Sequence, residues 1–299
     1  MPSRQIQWFP GHMAKTRRLI TENLKNVDIV IELLDARIPR SSKNPEISFW
    51  TRGKPTLTLL NKSGLADPGA TAKWIAWYRD AGAFALPTDC ITGEGLSAIG
   101  PRMREILTDK IRRFQEKGMA GRRMRAMIVG IPNVGKSSLI NKLCGQKKAR
   151  VENRPGVTLQ KQWVTTTAGF DLLDMPGVLW PKFEDKVTGE NLAATGAIKD
   201  TILDTDELGM LLSFRLLALY PKLFCARYRL DYDFVSTLDA YDLLEEVGKK
   251  RGFLMSGGTV NLERTALTVL EEFRSAKIGR ISLELPENVT TAKEDGENA

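Results

Sequence analysis

The stretch Arg125-Ala-Met-Ile-Val-Gly130-Ile-Pro-Asn133-Val134-Gly135-Lys136-Ser137-Ser138 decides the fold. An apolar run of strand length leads straight into a full match to G-x-x-x-x-G-K-[ST]. Its glycines let backbone N–H groups turn inward around phosphate oxygens, at the start of a helix whose dipole favours anions. Lys136 is expected to reach the β- and γ-phosphates and Ser137 to offer its hydroxyl to Mg²⁺. Asn133, Val134, Gly135 and Ser138 complete the candidate phosphate contacts.

Downstream lie Pro155-Gly-Val-Thr158 and Asp174-Met-Pro-Gly177. Asp174 ends an apolar strand, which suits a carboxylate near Mg²⁺, with Gly177 offering its amide to the γ-phosphate. Thr158, between the two motifs, is the candidate switch threonine on the same ion. The base-reading element, Leu59-Leu-Asn61-Lys62, lies upstream of the phosphate loop. In a guanine-nucleotide domain of ordinary connectivity it follows. The nucleotide site is therefore expected to be assembled from a circularly permuted chain. The alternative reading of Asn61-Lys62 is a turn at a strand end.

Position 64 departs from pattern. N-K-x-D uses its aspartate to bond guanine N1 and N2, and here that residue is Gly64. Losing one charge-assisted hydrogen bond costs roughly 1.5–3 kcal/mol. Asp67 and Asp89 are carboxylates that could substitute; their spacing does not say which reaches the base.

Three runs at the start, Val27–Leu34, Pro55–Leu60 and Ala83–Pro87, read as strands. Helical spacing marks Ala72–Ala81, one long helix over Leu96–Lys117, and Lys136 to about Cys144. Strands near 162–167 and 170–173 bring the count to six. Strands alternating with helices imply a six-stranded, mostly parallel sheet in an α/β domain. Beyond Gly189 the pattern turns helical, with helices at 206–219 and 239–249, and Leu262, Ala266, Val269, Leu270 and Phe273 on one face of another. The expected division is a permuted Ras-like P-loop domain over 1–183, a small α-helical domain over 184–280, and a disordered acidic tail over 281–299.

The formal charge is +8 over 299 residues. Residues 284–299 hold five acids and one base, so the rest of the chain carries +12. That excess points to a polyanionic partner, with solubility charge as the plain alternative. Three scattered cysteines argue against a disulfide framework. No signal-peptide run opens the chain, and its most apolar stretch, 209–220, is too short to span a bilayer. A soluble, cytoplasmic protein is expected.

With this motif order in view, the chain resembles the YlqF/RbgA family of circularly permuted GTPases, which act in assembly of the large ribosomal subunit. The likeness rests on Trp8-Phe-Pro-Gly-His12-Met, Asp35-Ala-Arg37-Ile-Pro39, Asn61-Lys62, Gly130–Ser137, Pro155–Thr158 and Asp174–Gly177. It implies GTP as substrate, GDP as product, Mg²⁺ as cofactor, and the large subunit and its rRNA as partners. It also implies a C-terminal domain that binds RNA. Val178 stands where Ras-like proteins carry a water-orienting glutamine, and valine cannot orient water. His12, the chain's single histidine, matches the family histidine proposed to act on the attacking water; an N-terminal arm histidine that packs or contacts RNA is the alternative. Asn133 matches the asparagine that helps hold K⁺ in potassium-activated GTPases, or else is a polar loop residue.

The run 110–125 holds seven bases against one acid, and Lys15-Thr-Arg17-Arg18 and Lys147-Lys148-Ala-Arg150 add two clusters. As a set they are candidate rRNA contacts, although charge runs are usually solvated faces. The expected function is a GTPase of large-subunit assembly, slow alone, triggered by docking, and monomeric. An RNA-binding module with a structural or promiscuous nucleotide pocket is the alternative.

Overall fold

A computed structural model describes residues 10–145, 162–180, 183, 185–198 and 204–288. Strands β1 (Ile29–Asp35), β2 (Thr56–Asn61), β3 (Phe84–Pro87), β4 (Met124–Gly130), β5 (Gln162–Thr165) and β6 (Phe170–Asp174) form one sheet among the described residues, in the order β3-β2-β1-β4-β6-β5. Every pairing is parallel except β5 with β6 at the edge. All seven residues of β1 are buried. A mostly apolar run, here interrupted only by Glu32 and Asp35, is what a strand covered on both faces requires. The sheet is the expected six-stranded, mostly parallel one.

The order explains how a permuted chain closes one site. The phosphate-loop strand β4 lies between β1 and β6, and β2 flanks β1. Register pairs Asn61 with Asp35, Gly130 with Leu33, and Asp174 with Ile128. The motif loops therefore leave the sheet along one carboxyl edge, where open α/β sheets bind ligands.

Helices α1 (Pro10–Asn23), α2 (Pro45–Trp50), α3 (Pro68–Asp80), α4 (Ile99–Ile106), α5 (Thr108–Glu116) and α6 (Lys136–Cys144) cover the sheet region. The single long helix expected over 96–117 is two. It breaks at Leu107, which is buried and whose N–H bonds the Met103 and Glu105 carbonyls. Thr108 bonds back to the Arg104 and Glu105 carbonyls, a side-chain competition that bends helices. The redirected α5 brings Lys110 to 2.7 Å from the buried Asp28.

Helices α7 (Lys186–Ala194), α8 (Thr205–Leu219), α9 (Pro221–Tyr228), α10 (Tyr232–Val235), α11 (Ala240–Arg251) and α12 (Leu262–Arg274) form the helical part. Helices α8 and α12 approach closely at Gly209, where any Cβ would collide with Ala266. The buried core runs without interruption from the sheet into these helices.

One expectation is corrected. The acidic tail does not begin at 281, because residues 281–288, with Arg280 before them, pack as a strap across the sheet domain. The Ile281 N–H donates to the Leu65 carbonyl (3.1 Å) and the Leu283 N–H to that of Arg37 (2.8 Å). The Glu284 carboxylate accepts from the Arg40 N–H (2.7 Å), from Asn191 Nδ2 (2.8 Å) and from the Ser41 hydroxyl. Glu284 is a half-buried carboxylate whose lone pairs are filled, which offsets the cost of drawing it from water. Residues 289–299 lie outside the described residues.

Candidate nucleotide site

The phosphate end of the site is local. β4 ends at Gly130, the chain turns through left-handed Asn133 (φ 57°) and Gly135 (φ 105°), and α6 starts at Lys136. Gly135 is required twice: its φ suits glycine, and a Cβ there would collide with Asn61 Nδ2. Lys136 is buried and its Nζ donates to the Gly130 (3.0 Å) and Ile131 (2.8 Å) carbonyls. Burial pulls its ammonium down to about 8, with Asp174 opposing. Burial pushes the Asp174 carboxyl up to about 6, with Lys136 opposing. Asp174 Oδ1 is buried and has no hydrogen-bond partner among the described residues. An orphaned carboxylate oxygen beside a phosphate loop is an acceptor that suits a hard cation such as Mg²⁺.

Gly177 closes against the loop; a Cβ there would lie 2.8 Å from Lys136 Nζ and 3.0 Å from the Pro132 nitrogen. Val178 is buried, its N–H donating to the Gly130 carbonyl (3.3 Å) and its carbonyl accepting from Asn44 Nδ2 (3.1 Å). Its side chain is thus part of the core. Asn133 Nδ2 donates to the Gly196 carbonyl at 2.8 Å, tying the phosphate loop to the segment after α7.

The base end is assembled from distant segments. Asn61 Nδ2 donates to the Val134 carbonyl (2.7 Å), and the Cys90 thiol donates to Asn61 Oδ1 (3.1 Å). Lys62, left-handed at φ 60°, places Nζ 3.0 Å from Asp35 Oδ2. Asp35 also holds Arg37 in a buried two-point pair, through Nε (2.9 Å) and Nη2 (2.7 Å). Burial alone would push the Asp35 carboxyl up; the charges of Arg37 and Lys62 more than reverse that and hold it well below the usual carboxylate range. Arg37 is 1% exposed and lies over the Phe273 ring of α12 at 5.4 Å. From the strap, Arg280 donates through Nε to the Ala66 carbonyl (3.0 Å) and through Nη2 to that of Ser63 (2.8 Å).

The structure therefore brings Asn61, Lys62, Asn133, Val134, Gly135, Lys136, Asp174 and Gly177 to one edge, with Ser137 and Ser138 on the first turn of α6. Thr158 lies outside the described residues. Position 12 falls within α1, and the His12 side chain lies outside the described residues, as does the 147–150 cluster. Of the bases in 110–125, Lys110 and Arg122 pair with Asp28, Arg112 with Asp109, and Arg123 with Asp171. Arg280, Asn191 and Glu284 had no local signal; the base-end support from Arg280 comes from more than 200 positions away, and contacts of that range have no motif to find.

A family profile described as 50S ribosome-binding GTPase matches residues 125–211. Ribosome biogenesis GTPase A of Priestia megaterium is 47% identical over 94% of this chain and 97% of its own length. The chain belongs to the ribosome biogenesis GTPase A family. The family's Bacillus cereus member is 44% identical over 98% of each chain. Among solved structures, GNP-bound YlqF from T. maritima superimposes with a TM-score of 0.62 at 25% identity, over 92% of this chain and 100% of that one. As a member of the ribosome biogenesis GTPase A family, the chain is a GTPase with a circularly permuted domain. Among the described residues no helix is long and apolar enough to cross a membrane.

Proposed function

We propose that this GTPase serves assembly of the large ribosomal subunit in the cytoplasm. As a monomer it loads GTP, docks on a precursor particle through rRNA contacts, and hydrolyses the nucleotide on docking. The observation that carries the reading is two buried charged groups at the phosphate loop, Lys136 and Asp174, with one Asp174 oxygen orphaned among the described residues and an apolar, buried Val178 nearby in the chain.

The chain's own groups divide the work. Backbone N–H groups of 133–138 wrap the phosphates, and the Lys136 ammonium exchanges its two carbonyl partners for phosphate oxygens. Asn61 and Lys62 frame the base, and the Gly177 amide meets the γ-phosphate. Ser137, Asp174 and Thr158 would hold Mg²⁺, which would offset the negative charge of the phosphates. Asn133, its amide nitrogen anchored on Gly196, would turn Oδ1 to K⁺ near the phosphates. Val178 offers no polar atom to the attacking water, so His12 orients it, and that arrangement is complete only on the particle. Lys15, Arg17, Arg18, Lys117 and the helical domain supply the rRNA-facing charge.

The test is GTP turnover in Mg²⁺ buffer, with K⁺ or Na⁺, with and without purified large subunits and with ATP as control. Slow basal turnover that rises at least severalfold with subunits, for GTP alone, supports the proposal. A rate that ignores the subunits ends it. His12→Ala should retain nucleotide affinity and lose the stimulated rate.

A further inference from the structure

Gly64 removes the aspartate that reads guanine, and the structure fills the vacated space from another loop. Ser63 donates its N–H to the Thr88 carbonyl (3.1 Å) and Thr88 donates its own to Leu60 (2.9 Å), so the segments after β2 and β3 run side by side. Asp89 Oδ2 accepts the Gly64 N–H at 3.1 Å. A Cβ built on Gly64 would lie 2.6 Å from that same oxygen. An aspartate's own carboxylate oxygen stands about 2.4 Å from its Cβ, on bond lengths near 1.5 and 1.2 Å. Asp89 Oδ2 thus keeps from position 64 the separation that a carboxylate oxygen of position 64 would keep. Asp67, the other nearby carboxylate, is committed elsewhere: it caps α3 through the Gly69 and Ala70 N–H groups and accepts from the Tyr220 hydroxyl.

We propose that Asp89, on the loop after β3, replaces the missing N-K-x-D aspartate and reads the guanine N1–H and N2–H edge. The proposal rests on the nucleotide site assigned above. A carboxylate has about four lone-pair positions. Asp89 Oδ1 spends two on the Ile91 (2.8 Å) and Thr92 (3.0 Å) N–H groups, and Oδ2 spends one on Gly64. One acceptor position remains on Oδ2, and Asp89 is 3% exposed with no cation paired to it among the described residues. A guanine N–H completes the set. Adenine presents a lone pair at N1 and no amine at C2, so the same oxygen repels it. Asn61, on the P-loop side, and Cys90, bonded to Asn61, fix the neighbouring edge. Carrying the carboxylate on the β3 loop is compatible with glycine at 64 and incompatible with aspartate there, since both would claim one space.

The test is calorimetric binding of GDP, XDP and ADP to the full chain in Mg²⁺ buffer. In Asp89→Asn, the Ile91 and Thr92 N–H groups hold the amide oxygen at Oδ1, so the NH₂ takes the place of Oδ2, gives up the bond from the Gly64 N–H and matches the C2 carbonyl of xanthine. GDP should weaken about 10- to 100-fold, as expected for a lost hydrogen bond to a charged group, while XDP overtakes it. Gly64→Asp alone should weaken GDP by crowding two carboxylates. The swap Gly64→Asp/Asp89→Ser should return GDP to within a few-fold of the parent, since the glycine φ is not in the left-handed region and a serine can still accept from the loop amides. Equal weakening of all three nucleotides in Asp89→Asn, or an unchanged GDP-to-XDP ratio, overturns the proposal and reduces Asp89 to a loop cap. If the asparagine variant does not fold, the swap decides: no recovery of GDP preference overturns it. Lys136→Ala separates the two levels, because retained binding of every base there would remove the site itself rather than Asp89's part in it.

Discussion

The phosphate end and the base end of this site are built by opposite means. Nine consecutive residues, Gly130 to Ser138, make most of the phosphate end, with Asp174 and Gly177 beside them, and the hydrogen bonds of Lys136 stay within the same loop. The base end draws on Asn61–Gly64, Asp89–Cys90, the Asp35–Arg37 pair and a strap from residues 280–284. A contiguous loop can be altered chemically without loosening the fold. A distributed one cannot, because each member is also a tertiary contact.

Substitutions at three positions would break or sharpen that contrast. The largest effect is expected at Asp35. Asp35→Ala leaves Arg37 as a buried, unpaired charge and should cost about 3–5 kcal/mol of stability, read by urea unfolding; a loss below that of a surface substitution would show the base end is not held by this pair. The sign with pH follows from the depressed Asp35 carboxyl. Its contribution is present above the unfolded value of about 3.9 and is lost as pH falls toward the folded value. From about pH 4 downward the parent should therefore lose stability more steeply than Asp35→Asn.

Lys136→Ala is the counterpart at the phosphate end. Removing a charge that meets phosphate should cost about 2–5 kcal/mol of nucleotide affinity with the unfolding midpoint of the nucleotide-free chain retained. Loss of both together would erase the contrast. The smallest effect is expected at the strap. Glu284→Gln keeps the shape but weakens the acceptors for Arg40, Ser41 and Asn191, costing about 1–2 kcal/mol. Because Arg280 in the same strap supports Ser63 and Ala66, GDP affinity should fall slightly with it. A stability loss with unchanged affinity would uncouple strap from base end.

Much of the sheet was legible because its strands are apolar runs bounded by turn residues, and such runs depend little on what surrounds them. The break at Leu107 was not, since the helical spacing continues through it and only burial of Leu107 with Thr108's back-bonding bends the chain. The role of Gly64 was half legible: the missing carboxylate could be read directly, its neighbour in space could not.

By itself the sequence determined the phosphate loop, the permuted motif order, the alternation of strands and helices, and the absence of the usual aspartate at 64, all of them properties of residues close in the chain. Only the tertiary structure decided that Asp89 rather than Asp67 stands against Gly64, that Asp35 holds two cations, and that 281–288 is a strap and not a tail. Each of those turns on which buried polar group meets which, and burial makes an unmet partner too costly to leave to the chain's local preferences.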